Sequence, residues 1–375
     1  MRVVVVMPEP PYSEGGPAGR CAAALLEGLT EHDRIELTAV AARVTTAAVR
    51  EPPRAIPVEI LSVEPQDRAQ AWSDLLRRPL GYLSRGEFGA HVRRLAADAD
   101  ILHLDQVHTA WCDLGSDIPS LVHLHYLVRL DRPRRPAGPR AAAQLFGLAA
   151  AERAAVRRHI FLVANSRIVG DELRRRAPRA DVTVIPLVLD PDQYAPAADV
   201  SQVAGFIGQA RWPTTAAAAR RLVERVWPLV RRELPDARLL VAGRGMDELG
   251  LQATGGVEIV GDVESASSFL GGLSLLLFPS PRGSGMKVKV LEALACGLPV
   301  VTSRVGAEGI APTEGIVVAD DDEGAARAAI SILSDDGERR QRGAAALRAF
   351  EEHHTPKVAA AAFADLYARM TESRR

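Results

Sequence analysis

The chain alternates short, apolar, β-branched runs with longer segments whose apolar residues recur at helical spacing. RVVVVM (2–7), IELTAV (35–40), DILHL (100–104), SLVHL (120–124) and IFLVAN (160–165) predict buried strands. PAGRCAAALLEGL (17–29) and GLAAAERAAVRR (147–158) predict helices between them. Beyond about residue 200 the pattern restarts, with VAGFIG (203–208), ARLLVAG (237–243), VEIVG (257–261), SLLLFPS (274–280), LPVVTS (298–303) and GIVVAD (315–320). Strands apolar along their whole length, alternating with helices, imply parallel sheets covered on both faces. Two such series predict an α/β protein of two Rossmann-like domains. The junction falls near IPLVLDPDQYAPAADVS (185–201), a stretch rich in Pro and Asp, giving expected domains of 1–187 and 188–352. A last helical pattern, VAAAAFADLYARM, lies in 353–375.

Composition narrows the partners more than the fold. The 375 residues carry 46 basic and 47 acidic side chains, a net charge of −1, so neither nucleic acid nor an anionic membrane is expected as the main partner. Three cysteines (Cys21, Cys112, Cys296) lie far apart and fit neither a disulfide framework nor a metal-site spacing, which points to a reducing cytoplasm. The opening MRVVVVMPEP is too briefly apolar for a signal peptide, and no window reaches the length of a membrane span. That leaves room for a peripheral membrane contact. The basic, proline-rich RLDRPRRPAGPR (129–140) reads as a surface loop, either merely solvated or meeting an anionic acceptor or headgroup.

The first loop, PEPPYSEGGPAGR, is not a dinucleotide fingerprint, because its glycines sit too far from the strand and at the wrong spacing. Gly15 and Gly16 can still bring backbone amides close to a phosphate ahead of a helix. Asp98 and Asp100 have an Asp-x-Asp form but directly precede a strand, so they read as a turn. Asp320, Asp321 and Asp322 read as a helix cap. No metal site is expected.

Lysine use is the strongest local signal. The chain has three lysines, and two of them, Lys287 and Lys289, fall in PRGSGMKVKVLEALACG between a predicted strand and the next. A strand–turn–helix there, with Ser284 as a plausible N-cap and Gly297 closing the helix, aims the helix N-terminus out of the C-terminal sheet edge. Amides, dipole and two ammonium groups would make an anion site. Glu292, three residues after Lys289, would share a similar face and suit sugar or ribose hydroxyls; the bland alternative is a surface ion pair.

FPSPRGSGMKVKVLEALACGLPVVTSRVGAEGI (278–310) resembles the donor-site signature of group 1 (family 4) retaining glycosyltransferases of the GT-B fold. PPYSEGGPAGRCAAALLEGL, VANSRIVGDELRR with VTVIPLVLDPDQY, and the segment from VAGFIGQARWPTT to LLVAGRG resemble further parts of that family. The resemblance implies two parallel sheets facing across a cleft, the first domain taking the acceptor and the second the nucleotide sugar. It also implies that the terminal helix crosses back to the first domain. It makes Glu292 the ribose ligand, sets Lys287 and Lys289 toward the diphosphate, and adds Ser284, Gly285, Arg211 and Glu308 to the donor set. Gly15 and Gly16 approach from the other domain, and His125 lies near the transferred sugar, with His123 its rival at the strand end.

Three departures stand out. The broader family has two glutamates seven residues apart, where this chain has Ser284 and Glu292. The usual Gly-Arg…Lys pair is missing from GQARWPTT, which offers only Arg211. The Pro-Asn-Gly-Val-Asp linker reads Pro186-Leu187-Val188-Leu189-Asp190. The implied activity is metal-independent transfer, without a cofactor, from a nucleoside diphosphate sugar to a hydroxyl of a small molecule, lipid or glycan. A nucleotide-sugar epimerase or hydrolase and a non-catalytic partner subunit are the alternatives.

Overall fold

The computed structural model describes residues 1–12, 16–45, 56–65, 74, 77–131, 138–198, 200–253 and 255–373. Its contacts divide into two compact units, Met1–Val188 with Pro356–Arg375, and Leu189–Thr355.

The first unit is a seven-stranded parallel sheet of β1 (Arg2–Met7), β2 (Glu36–Val44), β3 (Val58–Val63), β4 (Ile101–Asp105), β5 (Ser120–Leu124), β6 (Phe161–Ala164) and β7 (Asp181–Val184). The order across it is β3-β2-β1-β4-β5-β6-β7. The central strands are buried on both faces because alternate residues feed two separate cores. Val4 and Val6 pack with Phe88 and Val92 of α2 (Gly86–Ala97). Val3, Val5 and Met7 pack with Leu26 of α1 (Pro17–Thr30) and with Phe363 and Tyr367 of the terminal helix Pro356–Glu372. Strands β3 and β7 had no sequence signal of the kind used for the others. Both are edge strands with half-exposed residues, so neither is an unbroken apolar run.

The second unit is a six-stranded parallel sheet of β8 (Val203–Ile207), β9 (Arg238–Ala242), β10 (Val257–Gly261), β11 (Leu275–Phe278), β12 (Val300–Thr302) and β13 (Ile316–Val318). Its order is β10-β9-β8-β11-β12-β13. Phe206 and Phe278 stack at 5.3 Å in its core. All six strands were anticipated, to within a residue or two at their ends.

Both sheets reverse strand order once, at β1/β4 and at β8/β11. In open α/β sheets the crevice beyond the strand C-termini at such a switch point is where ligands bind. The residues just past Met7, Asp105, Ile207 and Phe278 are therefore the ones that matter.

The two aspartate clusters are structural, as their positions in sequence suggested. The Asp100 carboxylate accepts the Arg2 N–H at 2.8 Å, tying β4 to β1. Asp321 caps helix Asp322–Ser334 by accepting the Gly324 N–H at 2.6 Å. Among the described residues, no helix is long and apolar enough to cross a membrane. The expected basic loop 129–140 is helical at both described ends, in the helices Val128–Asp131 and Pro139–Arg158, and its residues 132–137 lie outside the described residues.

Candidate functional site

In the first unit, β4 and β5 carry His103, Asp105 and His123 at alternate positions, with Asp105 paired to His123 in register. His125 follows directly after β5. Because strand side chains alternate, these residues line the face that also holds Val5 and Leu121, beneath α1 and the terminal helix. His125 Nε2 lies 2.9 Å from Asp105 Oδ1. The Asn165 side-chain amide donates to the His125 carbonyl at 2.6 Å, fixing the loop that carries the ring.

Burial opposes charge on His125, but Asp105, and then Glu9, outweigh it and raise its pKa above the ordinary value. Burial likewise opposes the Asp105 carboxylate, yet His125 and its hydrogen bond bring the pKa down to about 2. His123 differs sharply. It is 3% exposed, and burial together with the His125 charge pushes its pKa well below the usual value, so it stays a neutral imidazole. His125, with a side chain 14% exposed, is the histidine a ligand can reach. The two rivals thus differ in exposure and in the direction of their pKa shifts. His103 sits deeper, its Nδ1 2.7 Å from the Tyr367 hydroxyl of the terminal helix, with burial lowering its pKa to about 4.

Gly16 is the N-cap of α1 and has extended backbone (φ −69°, ψ 148°), with open space where a Cβ would stand. Pro17 follows at the first helical position, where its missing N–H costs nothing. Gly15 lies outside the described residues.

In the second unit, the turn after β11 leads into α-helix Val288–Ala295. The helix is capped at Lys287, without a side-chain cap bond, so Ser284 is not the N-cap. The turn runs three residues further than the sequence suggests because Gly285, at φ +71°, keeps the chain out of helical geometry. Glu308 takes over the role of holding this turn: its carboxylate accepts the Gly285 N–H at 3.0 Å, and Glu308 and Ser284 are both buried. At the other end Gly297 (φ +63°) closes a Schellman motif. The Leu298 N–H reaches the Ala293 carbonyl and the Gly297 N–H the Leu294 carbonyl.

The two lysines part company. Lys287 folds back, its ammonium donating to the Ser284 and Gly285 carbonyls at 3.1 and 2.6 Å. Lys289 reaches the switch point. Its Nζ lies 3.2 Å from Thr215 Oγ1 on the helix Pro213–Arg221, and 4.7 Å from the centroid of Phe278, the last residue of β11. Gly208, just past β8, makes room for it: a Cβ there would strike the Thr215 methyl and stand 2.9 Å from the Lys289 ammonium. Burial, and then the neighbouring Lys287 charge, lower the Lys289 pKa to about 8 against the opposing pull of Glu292.

Glu292 is 3% exposed and accepts a hydrogen bond from the Tyr194 hydroxyl at 3.1 Å. Arg211 is exposed, with its guanidinium 5.5 Å over the Trp212 ring. The structure therefore groups Ser284, Gly285, Lys287, Lys289, Glu292 and Glu308 around one helix start, with Arg211 in the loop after β8.

Sequence reasoning missed Asp105, Thr215, Tyr194 and Gly208. The first had a signal, since HLD and HLH repeat polar residues at period two where apolar ones are expected. Thr215 and Tyr194 had none, because their relevance depends on tertiary contact.

The sequence model of the family "Glycosyl transferases group 1" matches residues 201–336, all of them in the second unit. An uncharacterized 44.6 kDa protein in the cps region of Klebsiella pneumoniae is 25% identical over 129 residues. That match spans 31% of this chain and only 33% of the relative. Sucrose-phosphate synthase from Thermosynechococcus elongatus has a similar fold, with a TM-score of 0.69 at 17% identity, covering 100% of both chains. Anabaena HepE in complex with UDP and glucose gives a TM-score of 0.67 at 15% identity, covering 97% of this chain and 99% of HepE. The second unit is thus similar in sequence to group 1 glycosyltransferases over residues 201–336, and the chain as a whole has the GT-B fold.

Proposed function

We propose that the protein transfers a sugar from a nucleoside diphosphate sugar to an acceptor hydroxyl with retention of anomeric configuration, using no metal or cofactor for the transfer. The observation that carries this reading is Lys289, a partly buried ammonium at the β8/β11 switch point, beside a buried carboxylate, Glu292. Fixed cations and amides in a sheltered site stabilise a departing diphosphate, usually the largest single catalytic contribution. Lys289, assisted by Lys287, takes the diphosphate; Glu292 takes the ribose hydroxyls. The acceptor attacks on the face that the leaving group vacates, and the diphosphate receives its proton. His125, oriented by Asp105, holds the transferred sugar from the first unit, which also receives the acceptor. HepE, of similar fold, is complexed with UDP and glucose, which makes UDP-glucose the first donor to try.

The acceptor class is a small-molecule, lipid or glycan hydroxyl. The reaction is assigned to the cytoplasm, where the three free cysteines stay reduced. A thermal-shift panel of UDP, GDP, dTDP and ADP, followed by the matching sugars, selects the donor. Nucleotide release from that donor is then measured with and without acceptors. Release that depends on acceptor supports transfer. Equal release without acceptor makes the protein a hydrolase, and no nucleotide binding at all overturns the assignment of the lysine site.

A further inference from the structure

The first unit contains a buried histidine, His123, that the proposed transfer does not use. His123 is 3% exposed, and neither of its ring nitrogens makes a hydrogen bond among the described residues. Buried polar groups in native proteins are almost always satisfied, and an exception of this kind is explained by a bound water, an ion or a strained site. The ring is held firmly: it packs against Phe363 at 5.5 Å and edge-on to His125 at 4.5 Å. A cavity of about 20 Å³, large enough for one water-sized occupant, is lined by His103, Asp105, His123, His125, Cys21 and Phe363.

We propose that Asp105, His123 and His125 form a binding site for one divalent first-row transition-metal ion of the Zn²⁺ type. Each offers one ligand atom, and all three atoms lie within 4.8 Å of one another. Asp105 Oδ1 is 2.9 Å from His125 Nε2 and 3.8 Å from His123 Nδ1. Ligands about 2.0–2.1 Å from a tetrahedral ion stand about 3.3 Å apart, so the present separations straddle what such an ion requires. Two imidazoles and one carboxylate select a borderline transition ion over Mg²⁺ or Ca²⁺, which prefer all-oxygen sets. The remaining coordination position is open to the cavity for water, and His125, the partly exposed member, gives the ion its way in. The ion would satisfy the His123 nitrogen that the fold leaves without a partner. The ion would take over the Asp105–His125 pair that the transfer reading assigns to the sugar, so it defines a state of this pocket that excludes that sugar contact, while the metal titration itself reads out independently of transfer.

The test is a Co²⁺ titration of the full chain, purified without a polyhistidine tag, followed by visible absorption and calorimetry. One Co²⁺ per chain with the intense d–d bands of a four- or five-coordinate ion is the expected result. His123→Phe, which keeps an aromatic ring but has no ligand atom, should abolish the bands. Should that buried variant fail to fold by circular dichroism, His125→Gln, at the accessible edge, decides alone. It should weaken Co²⁺ binding at least tenfold, and Zn²⁺ should displace Co²⁺ from the wild type. Absence of such bands at stoichiometric Co²⁺, or bands that persist unchanged in the folded variants, overturns the proposal.

Discussion

The two switch points share one topology and carry opposite electrostatic arrangements. At β1/β4 the ionisable groups neutralise each other: Asp105 sits 2.9 Å from His125, while His123 and His103 are kept neutral by burial. At β8/β11 two ammonium groups share the neighbourhood with Glu292, and Glu292 is engaged by the neutral hydroxyl of Tyr194. A self-balanced pocket with polar atoms but little net charge suits a neutral hydroxylated ligand such as a sugar. A pocket with surplus positive charge suits a polyanion such as a diphosphate. In the proposed scheme the same sheet geometry would serve two kinds of binding because the residues after the strands differ, not because the backbone does.

If that division is real, damage to one edge should leave the other intact. His125→Ala should lower kcat for transfer by roughly a hundredfold or more, the size of losing one preorganised polar contact in a transition state. UDP affinity measured by calorimetry should stay within about twofold, since the first unit's histidine does not face phosphate in this scheme. Loss of UDP binding in His125→Ala would collapse the distinction. The complementary change, Lys287→Ala with Lys289→Ala, should weaken UDP binding at least ~tenfold, about 1.4 kcal/mol. Unchanged affinity there would remove the second edge from the diphosphate.

The single changes then rank the two lysines. Lys289 stands at the switch point, whereas Lys287 spends two of its donors on the Ser284 and Gly285 carbonyls. Lys289→Ala should therefore account for most of the double variant's loss. A rearrangement of the turn when nucleotide binds would instead show as equal effects from both.

The comparison also has a pH signature. The Lys289 pKa is lowered to about 8, so its charge is lost as pH rises through that value rather than above 10. UDP affinity should fall between about pH 7 and 9.5, and bound diphosphate should itself raise the Lys289 pKa and blunt the fall. Lys289→Arg, which stays charged throughout, should flatten the profile. A wild-type profile that is already flat across that range would show that the lysine charge does not contribute to binding.

How much of this could be read from sequence follows from where each feature is encoded. The apolar runs of the central strands are local, and they located all of the second sheet and five strands of the first. Edge strands β3 and β7 escaped because half-exposed strands lack that run. Lys287, Lys289 and Glu292 were legible through composition and helical spacing. Their inequality was not, because it rests on Gly208 and Thr215, which come from elsewhere in the fold. The helix start was misjudged by its serine, since Gly285 and Glu308, 23 residues apart, set the turn. In the first unit His125 was singled out by resemblance alone. Its pairing with Asp105 needed the register of β4 against β5.

The smallest expected effect is the most discriminating, because it runs against ordinary intuition about a well-placed charge. A lysine whose folded pKa lies below its unfolded value costs stability while it is protonated. For Lys289 the unfolded state holds the proton more tightly, so wild-type stability should rise as pH climbs from about 8 toward 10.5 and be flat below that window. Lys289→Met keeps the aliphatic stem over Phe278 and removes the buried charge. It should raise Tm at pH 7 by a few degrees while weakening UDP binding, and the gain should shrink above pH 8 as the wild-type lysine discharges. An equivalent apolar change at the first edge, Asp105→Leu, should lower Tm, because it strands His125 without its carboxylate. Opposite signs at the two edges would mean that charge is held against the fold's own stability at the second and in its favour at the first. A Lys289→Met variant with unchanged or lower Tm would indicate that Thr215 and Phe278 already compensate the ammonium, leaving its lowered pKa without a stability cost.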